Sequence, residues 1–255
     1  MSFPIVLACS LLCTIVFKDA IRKAPGVFYA AALALSLLYA ATGVIEMPLD
    51  LKMILFLLVQ KGTLATALFV IVMYMGVCRD VGFVRQRLMP IRATLSIIAC
   101  VLILGHVLKY TVAFAGSLGL VTPTAGLGLF LGAAAFILMG ILGLTSIQAV
   151  KKRMTAAAWF SLQRWAYLFY GLLFAHLALF LVPANAGTPD GASLDRIAVY
   201  GILFGLYAVL RPGKALANRH RHERMAPTVA VPAKDSPAPT HHGPDTCDQG
   251  AASPF

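Results

Sequence analysis

The sequence predicts an all-α membrane protein, a polytopic bundle of about seven transmembrane helices. Of its 255 residues, 60% are hydrophobic and only 12% are charged, whereas soluble domains carry roughly twice that share of charge. The apolar residues form runs that are long enough to cross a bilayer. Basic residues collect in alternate loops between these runs, which is typical of a chain that crosses the membrane repeatedly.

Seven apolar runs define the predicted helices, at residues 3–17, 25–45, 53–77, 91–115, 124–149, 157–182 and 193–211. The first run is short, but it lacks the basic start and the small-residue cleavage site of a signal peptide, so we expect it to be retained as a helix. We expect N-terminal transmembrane helices over residues 1–51, a membrane core over 52–211 and a tail over 212–255.

Loops rich in Lys and Arg follow the first, third, fifth and seventh runs, and the remaining loops are poor in them. By the positive-inside rule, the N-terminus lies outside and the C-terminus lies in the cytoplasm, with the chain in an inner or plasma membrane. The net charge of +11 therefore reflects topology. Nucleic-acid binding is not expected, because no basic face is interleaved with aromatic residues.

From Pro212 onward the chain is rich in Pro, Ala, His, Asp and Ser and shows no apolar periodicity. Such a composition predicts a disordered cytoplasmic tail. Within it, His241 and His242 are either a weak metal site or simply solvated.

Two histidines, His106 and His176, lie inside apolar runs, and the remaining four follow the last run. An imidazole within a bilayer normally has a partner that offsets its lost hydration. Counted from Ile91 and Trp159, the two histidines lie about 22 Å and 25 Å along their helices. Equal depth is required of two axial ligands on one haem. For either histidine alone, a hydrogen bond to a neighbouring helix is the alternative.

The motifs around these histidines follow a recognisable order. Arg92 precedes His106 by fourteen residues, Tyr110 follows it, a glycine-led helix runs from Gly62 to Val77, and the segment from Leu144 to His176 carries Trp159 and Tyr167. This ordered set, within about residues 60–211, resembles the ferric reductase-like transmembrane domain family. Within that family it is similar to the haem-binding membrane subunits of bacterial periplasmic methionine sulfoxide reductase systems. The resemblance implies a six-helix core with one additional N-terminal helix, and it assigns the haem-binding part of the membrane core to residues 52–211.

The resemblance also implies one haem b, with His106 and His176 as the ligands of its iron. At two positions where relatives carry a further histidine, this chain has Arg92 and Gln163. An amide is a poor ligand for haem iron, so a second haem is not expected. Small residues near the two histidines, Gly105 and Gly171 among them, either admit a flat macrocycle or serve ordinary helix packing.

Five further residues are candidates for cofactor binding. Lys109 and Tyr110, one turn beyond His106, either contact haem propionates or anchor the helix at the interface. Arg92, Gln163 and Arg164 lie toward the inner side of the membrane. There they either bind the electron donor, through a flavin phosphate or a quinone headgroup, or have a structural role. In the structural alternative, the arginine side chain snorkels to the membrane interface and the other residues pack against neighbouring helices.

The expected function is electron transfer through a membrane b-type haem, in a subunit of an oxidoreductase. The acceptor would be extracytoplasmic, such as ferric iron, a flavoprotein or a periplasmic-type reductase, and a separate redox partner protein is expected. The rival is a haem-free transporter or channel in which His106 and His176 relay protons or bind substrate. Lys61, a charge inside the third run, is either a functional group or the start of that helix.

Overall fold

The computed structural model describes residues 2–42, 45–116, 122–181 and 191–225, and of residues 2, 191–196 and 215–225 it describes only the helical backbone. Nearly all of these residues are helical, and no strand occurs among them. The predicted all-α membrane bundle is therefore confirmed. The part of the predicted disordered tail from residue 226 onward, with His241 and His242, lies outside the described residues.

The described residues form eleven α-helices, joined in places by short π-helical and 3₁₀-helical turns. The α-helices are α1 (Ser2–Val16), α2 (Lys18–Lys23), α3 (Pro25–Ala41), α4 (Leu49–Leu55), α5 (Thr63–Val77), α6 (Arg92–Ala115), α7 (Pro123–Ser146), α8 (Gln148–Lys151), α9 (Ala156–Gln163), α10 (Ala166–Leu181) and α11 (Gly191–Met225). The π-helical turns are Phe56–Gln60 and Val84–Leu88, and the 3₁₀ turns are Cys78–Asp80 and Met89–Ile91.

Four helical stretches of the described chain are long and apolar enough to cross a membrane. They are Thr63–Asp80, Val84–Ala115, Pro123–Ser146 and Ala156–Leu181. Helices α1 and α3 are apolar but shorter, with 15 and 17 residues, close to the lower limit for a spanning helix. The last predicted run, 193–211, lies within α11.

The third predicted run, 53–77, is not one continuous helix. Helix α4 passes into the π-helical turn Phe56–Gln60, Lys61 ends that turn, and α5 begins at Thr63. Gly62 between them has φ of 62°, a left-handed conformation that is strained for residues with a Cβ. Of the two alternatives for Lys61, the structure therefore supports the position at a helix start. Its exposed ammonium lies 5.1 Å from the Phe56 ring centroid.

Helix α11 continues through Pro212 to Met225, so the helix does not end at the predicted residue 211. Side chains on either side of Pro212 make contacts that hold this stretch. Arg211 donates through Nη1 to the Gly76 carbonyl at 3.1 Å, and Lys214 forms an ion pair of 2.8 Å with Asp80. The described residues up to Leu216 belong to one compact unit, and Ala217–Met225 belong to a second.

Helix α5 forms the centre of the first unit, with 12 of its 15 residues buried. Hydrogen bonds link it to two later helices: Tyr74 Oη donates to the Leu203 carbonyl of α11 at 2.8 Å, and Tyr170 Oη of α10 donates to the Phe69 carbonyl of α5 at 3.5 Å. A chain that buries its middle helix on all sides needs apolar residues around the whole circumference. The sequence of α5 meets this requirement, because it is apolar apart from Thr63, Thr66 and the Tyr74 hydroxyl.

Helix α3 packs closely against α6, near the end of α6 that carries His106. Ser36 Oγ donates to the Val101 carbonyl at 3.1 Å. A Cβ added to Gly105 would lie 2.8 Å from Val59 Cγ1 and 3.5 Å from the Ser36 Cα. The N-terminal helices therefore help to position the region around His106.

Candidate functional site

The two histidines of the apolar runs lie next to each other in the bundle. His106 on α6 and His176 on α10 have ring centroids 6.4 Å apart, with the ring planes at 82°. Both side chains are half-buried. Helices α6 and α10 thus bring together two imidazoles that are 70 residues apart in the chain.

The break before α5 supplies the hydrogen-bond partner of His106. The His106 Nδ1 lies 2.5 Å from the Gln60 carbonyl oxygen. The backbone N–H groups of Lys61, Gly62 and Thr66 bond to Phe56, Val59 and Gly62 respectively. They leave the Gln60 carbonyl, at the end of the π-helical turn, available to a side chain from another helix.

A pair of glycines on α7 positions His176. Its Nδ1 lies 2.8 Å from the Gly128 carbonyl oxygen. A Cβ added to Gly132, one turn further along, would lie 2.8 Å from both Nδ1 and Cε1 of His176, and a Cβ at Gly128 would lie 2.6 Å from Phe180 Cε2. Gly128 and Gly132 therefore form a notch that lets the His176 imidazole reach the α7 backbone. We call this pair of residues the glycine notch.

These two contacts determine the tautomer of each imidazole. A carbonyl oxygen only accepts hydrogen bonds, so Nδ1 carries the proton in both rings and Nε2 keeps a free lone pair. A backbone carbonyl on one ring nitrogen is the usual arrangement of a metal-ligating histidine. Two imidazoles on opposite sides of one metal ion, with metal–nitrogen bonds of about 2.0 Å, have ring centres about 6 Å apart, close to the separation in this structure.

In the described part of the chain, no group of three or more His, Cys, Asp or Glu residues could hold a metal ion. Two imidazoles are too few for a bare metal ion in a protein site. A macrocycle that brings its own ring of nitrogen ligands needs only the two axial positions from the protein.

The other predicted site residues lie in two regions, one next to His106 and the other at the start of α6 and the end of α9. Tyr110 lies beside His106, with ring centroids 4.8 Å apart, and Lys109 is exposed. At the other end of α6, Arg92 Nε donates to the Val72 carbonyl at 3.4 Å. Gln163 Nε2 is buried and has no hydrogen-bond partner in the described structure, and Arg164 is exposed.

No hydrogen bond joins Arg92, Gln163 and Arg164 to one another among the described residues. The two glycines that were candidates for admitting a macrocycle, Gly105 and Gly171, differ in their surroundings. Gly105 is covered by α3 and Val59, so it serves helix packing, whereas a Cβ at Gly171 would meet nothing within 4 Å.

Sequence reasoning missed three residues that position the imidazoles: Gln60, Gly128 and Gly132. A weak signal was present for two of them, because Gly128 and Gly132 stand four residues apart in the segment GLGLFLG (126–132) and so share one face of a helix. Gln60 acts through its backbone carbonyl, and its side chain gives no indication of that role.

The fold and the paired histidines define a helical membrane protein with a candidate metal or cofactor site between its helices. Residues 61–174 match the family described as "Ferric reductase like transmembrane component". This part of the chain is therefore similar to ferric reductase-like transmembrane components. The matched residues begin at the break before α5, include His106 and end two residues before His176.

A protein of Treponema pallidum (strain Nichols), described as uncharacterized, is 37% identical to this chain over 163 residues. The similarity covers 62% of this chain and 45% of that relative, so the chain spans less than half of the relative's length. No solved structure matches the chain.

Proposed function

We propose that the protein is an integral membrane b-type haem protein that transfers electrons to an extracytoplasmic acceptor. The observation that carries this proposal is the pair of imidazoles 6.4 Å apart, each with Nδ1 on a backbone carbonyl. The ferric reductase-like domain supports the same function. Resemblance to the membrane subunits of methionine sulfoxide reductase systems suggests a periplasmic-type reductase as acceptor, with ferric iron or a flavoprotein as alternatives.

The donor set fits a haem whose iron would be held by two histidines. His106 and His176 would hold the iron through Nε2, while the carbonyls of Gln60 and Gly128 orient the rings. When bound, haem b supplies a one-electron couple between ferric and ferrous iron. Lys109 and Tyr110, near His106, are the proposed contacts of its propionates.

One haem per chain is proposed, because Arg92 and Gln163 stand where two-haem relatives carry further ligands. The donor is proposed to be a flavin or a quinone. Arg92, Gln163 and Arg164 are the candidates for contact with this donor. The Gln163 amide nitrogen is buried and has no hydrogen-bond partner among the described residues, which supports a role in binding the donor. The proposed orientation has the C-terminus in the cytoplasm, because the basic loops lie at the end of the bundle away from the histidines.

A reduced-minus-oxidised visible spectrum of the purified protein tests the proposal. Low-spin b-type bands are expected from the wild type, and His106→Ala or His176→Ala should leave the haem absent or high-spin. Gln163→Ala and a variant without the tail histidines are the controls, and both should keep the wild-type bands. A protein that folds and inserts but binds no haem would favour the transporter or channel, whose histidines relay protons.

A further inference from the structure

A pocket of about 260 Å³ lies next to the π-helical turn that holds His106. Its lining combines polar groups able to hydrogen-bond with apolar walls. The lining residues are Tyr39, Thr42, Lys52, Met53, Phe56 and Gln60. All of them precede residue 61, where the match to the ferric reductase-like family begins, so the pocket is not part of the matched domain.

Gln60 connects this pocket directly to the candidate haem site. Its side-chain Oε1 accepts a hydrogen bond of 2.5 Å from Tyr39 Oη, and its backbone carbonyl accepts from His106 Nδ1. One residue therefore lines the pocket and orients an imidazole. A molecule in the pocket is separated from His106 by a single residue.

Lys52 supplies a cation that the structure leaves unpaired. It is half-buried at the pocket, and neither of the ion pairs formed among the described residues includes it. Lys52 Nζ and the Gln60 amide nitrogen are the donors that face a ligand with carbonyl or hydroxyl oxygens. The Tyr39 hydroxyl donates to Gln60 Oε1 and so orients that amide, and Thr42 Oγ1 donates to the Tyr39 carbonyl. Phe56 and Met53 provide apolar and aromatic surface against which a flat ring can pack.

The position of the pocket indicates how a ligand reaches it. Tyr39 lies 14 residues along α3 from Pro25, and His106 lies 14 residues along α6 from Arg92, about 21 Å in each helix at 1.5 Å per residue. The pocket is thus at the depth of the imidazoles, within a hydrocarbon core of about 30 Å. Leu49, Met53 and Ile54 of α4 have exposed fractions of 74%, 59% and 53%, which suits contact with lipid.

We propose that this pocket binds the headgroup of a quinone that enters from the lipid. A quinone headgroup is a flat apolar ring with two oxygens that accept hydrogen bonds, and its isoprenoid chain stays in the bilayer. The inference rests on the proposed haem function and assigns a quinone donor to this pocket in place of the inner residues Arg92, Gln163 and Arg164. Oxidation of a bound quinol breaks two O–H bonds and yields a quinone, two protons for the aqueous phase and two electrons. The redox group proposed at the histidines would take these electrons one at a time and pass the first to the acceptor before it takes the second.

Binding is tested with the full-length protein in phospholipid nanodiscs and a photoreactive azido-quinone. The label should attach to peptides covering α4 and the π-helical turn, and unlabelled decylubiquinone or menaquinone-4 should compete. Lys52→Ala should weaken labelling about tenfold, the effect of one hydrogen bond to a charged group. Tyr39→Phe should also weaken labelling, because it removes the hydrogen bond that orients the Gln60 amide. Lys23→Ala and Tyr29→Phe, which alter the same residue types outside the pocket, are the matched controls.

Haem reduction provides the second readout. Dithionite should reduce the haem fully in wild type and Lys52→Ala, whereas short-chain quinols should reduce it at least tenfold more slowly in Lys52→Ala. Labelling that quinones do not displace but anionic phospholipid does would show that the pocket holds lipid and would overturn the proposal. Normal quinol reduction in Lys52→Ala and Tyr39→Phe, together with loss of quinol reduction in Gln163→Ala, would also overturn the proposal. The donor would then bind at the inner side of the membrane. A protein without haem that still labels in the pocket would refute the proposed function alone.

Discussion

The glycine notch on α7 allows a sharp test of how His176 is positioned, through the substitution Gly132→Ala. The added Cβ would lie 2.8 Å from the imidazole, whereas ordinary contacts begin at 3.4 Å. The ring must therefore move by about 0.6 Å, and metal–ligand distances tolerate only about 0.2 Å. Moving the ring also stretches its hydrogen bond to the Gly128 carbonyl. We expect reduced haem occupancy and loss of low-spin character.

The expected cost follows from three contributions. Overpacking destabilises by about 1–3 kcal/mol, and loss of the hydrogen bond to Gly128 adds about 1 kcal/mol. The higher helix propensity of Ala over Gly offsets about 1 kcal/mol of this cost, which leaves a net loss of about 1–3 kcal/mol. For a domain of this size, that corresponds to a decrease in Tm of roughly 2–12 °C.

Gly140→Ala is the matched control on the same helix, because a Cβ at Gly140 would meet nothing within 4 Å. It gains the same propensity without the clash, so haem content should be unchanged and Tm equal or slightly higher. Pyridine haemochrome analysis and a thermal melt of the detergent-solubilised protein measure both quantities. If Gly132→Ala keeps wild-type haem content and low-spin bands, the notch does not position a haem ligand.

Three further predictions concern other parts of the chain. Pyridine haemochrome analysis of the wild type should give one haem per chain; a value near two would reveal ligands other than His106 and His176. Arg211→Ala should lower Tm, because it removes hydrogen bonds to the Gly76 carbonyl and the Tyr167 hydroxyl, but it should not change the haem spectrum; an altered spectrum would contradict the separation of the two regions. A reporter fused after Phe255 should be active only in the cytoplasm, and activity outside would reverse the proposed orientation.

The fold and the pairing of the histidines were predictable from the sequence because both depend on regular quantities. Apolar runs and alternating basic loops are properties of the sequence itself, and a helix advances by a constant rise. Equal depth along two helices was therefore an informative expectation, and the rings of His106 and His176 lie 6.4 Å apart in the structure.

The groups that orient these rings were not predictable by the same means. The partners of His106 and His176 are backbone carbonyls, which every residue possesses. Gly132 and Gly140 stand in similar apolar surroundings on α7, yet only Gly132 lies against a histidine, and that difference depends on how α10 packs. The break at Gly62 was predictable only in part. Lys61 indicated that a helix could start there, but the apolar residues on both sides of it were assigned to one run over 53–77.

The two imidazoles are oriented by different parts of the molecule. His106 depends on the π-helical turn before α5, which also lines the pocket, whereas His176 depends on the notch in α7. Each ring is therefore held by a segment other than its own helix, so both are positioned before any cofactor binds, and less ordering entropy is lost on binding. A ligand in the pocket contacts Gln60 and not α7, so it can shift the orientation of one axial ligand while the other stays fixed. Occupancy of the pocket should therefore change the haem spectrum without displacing the haem.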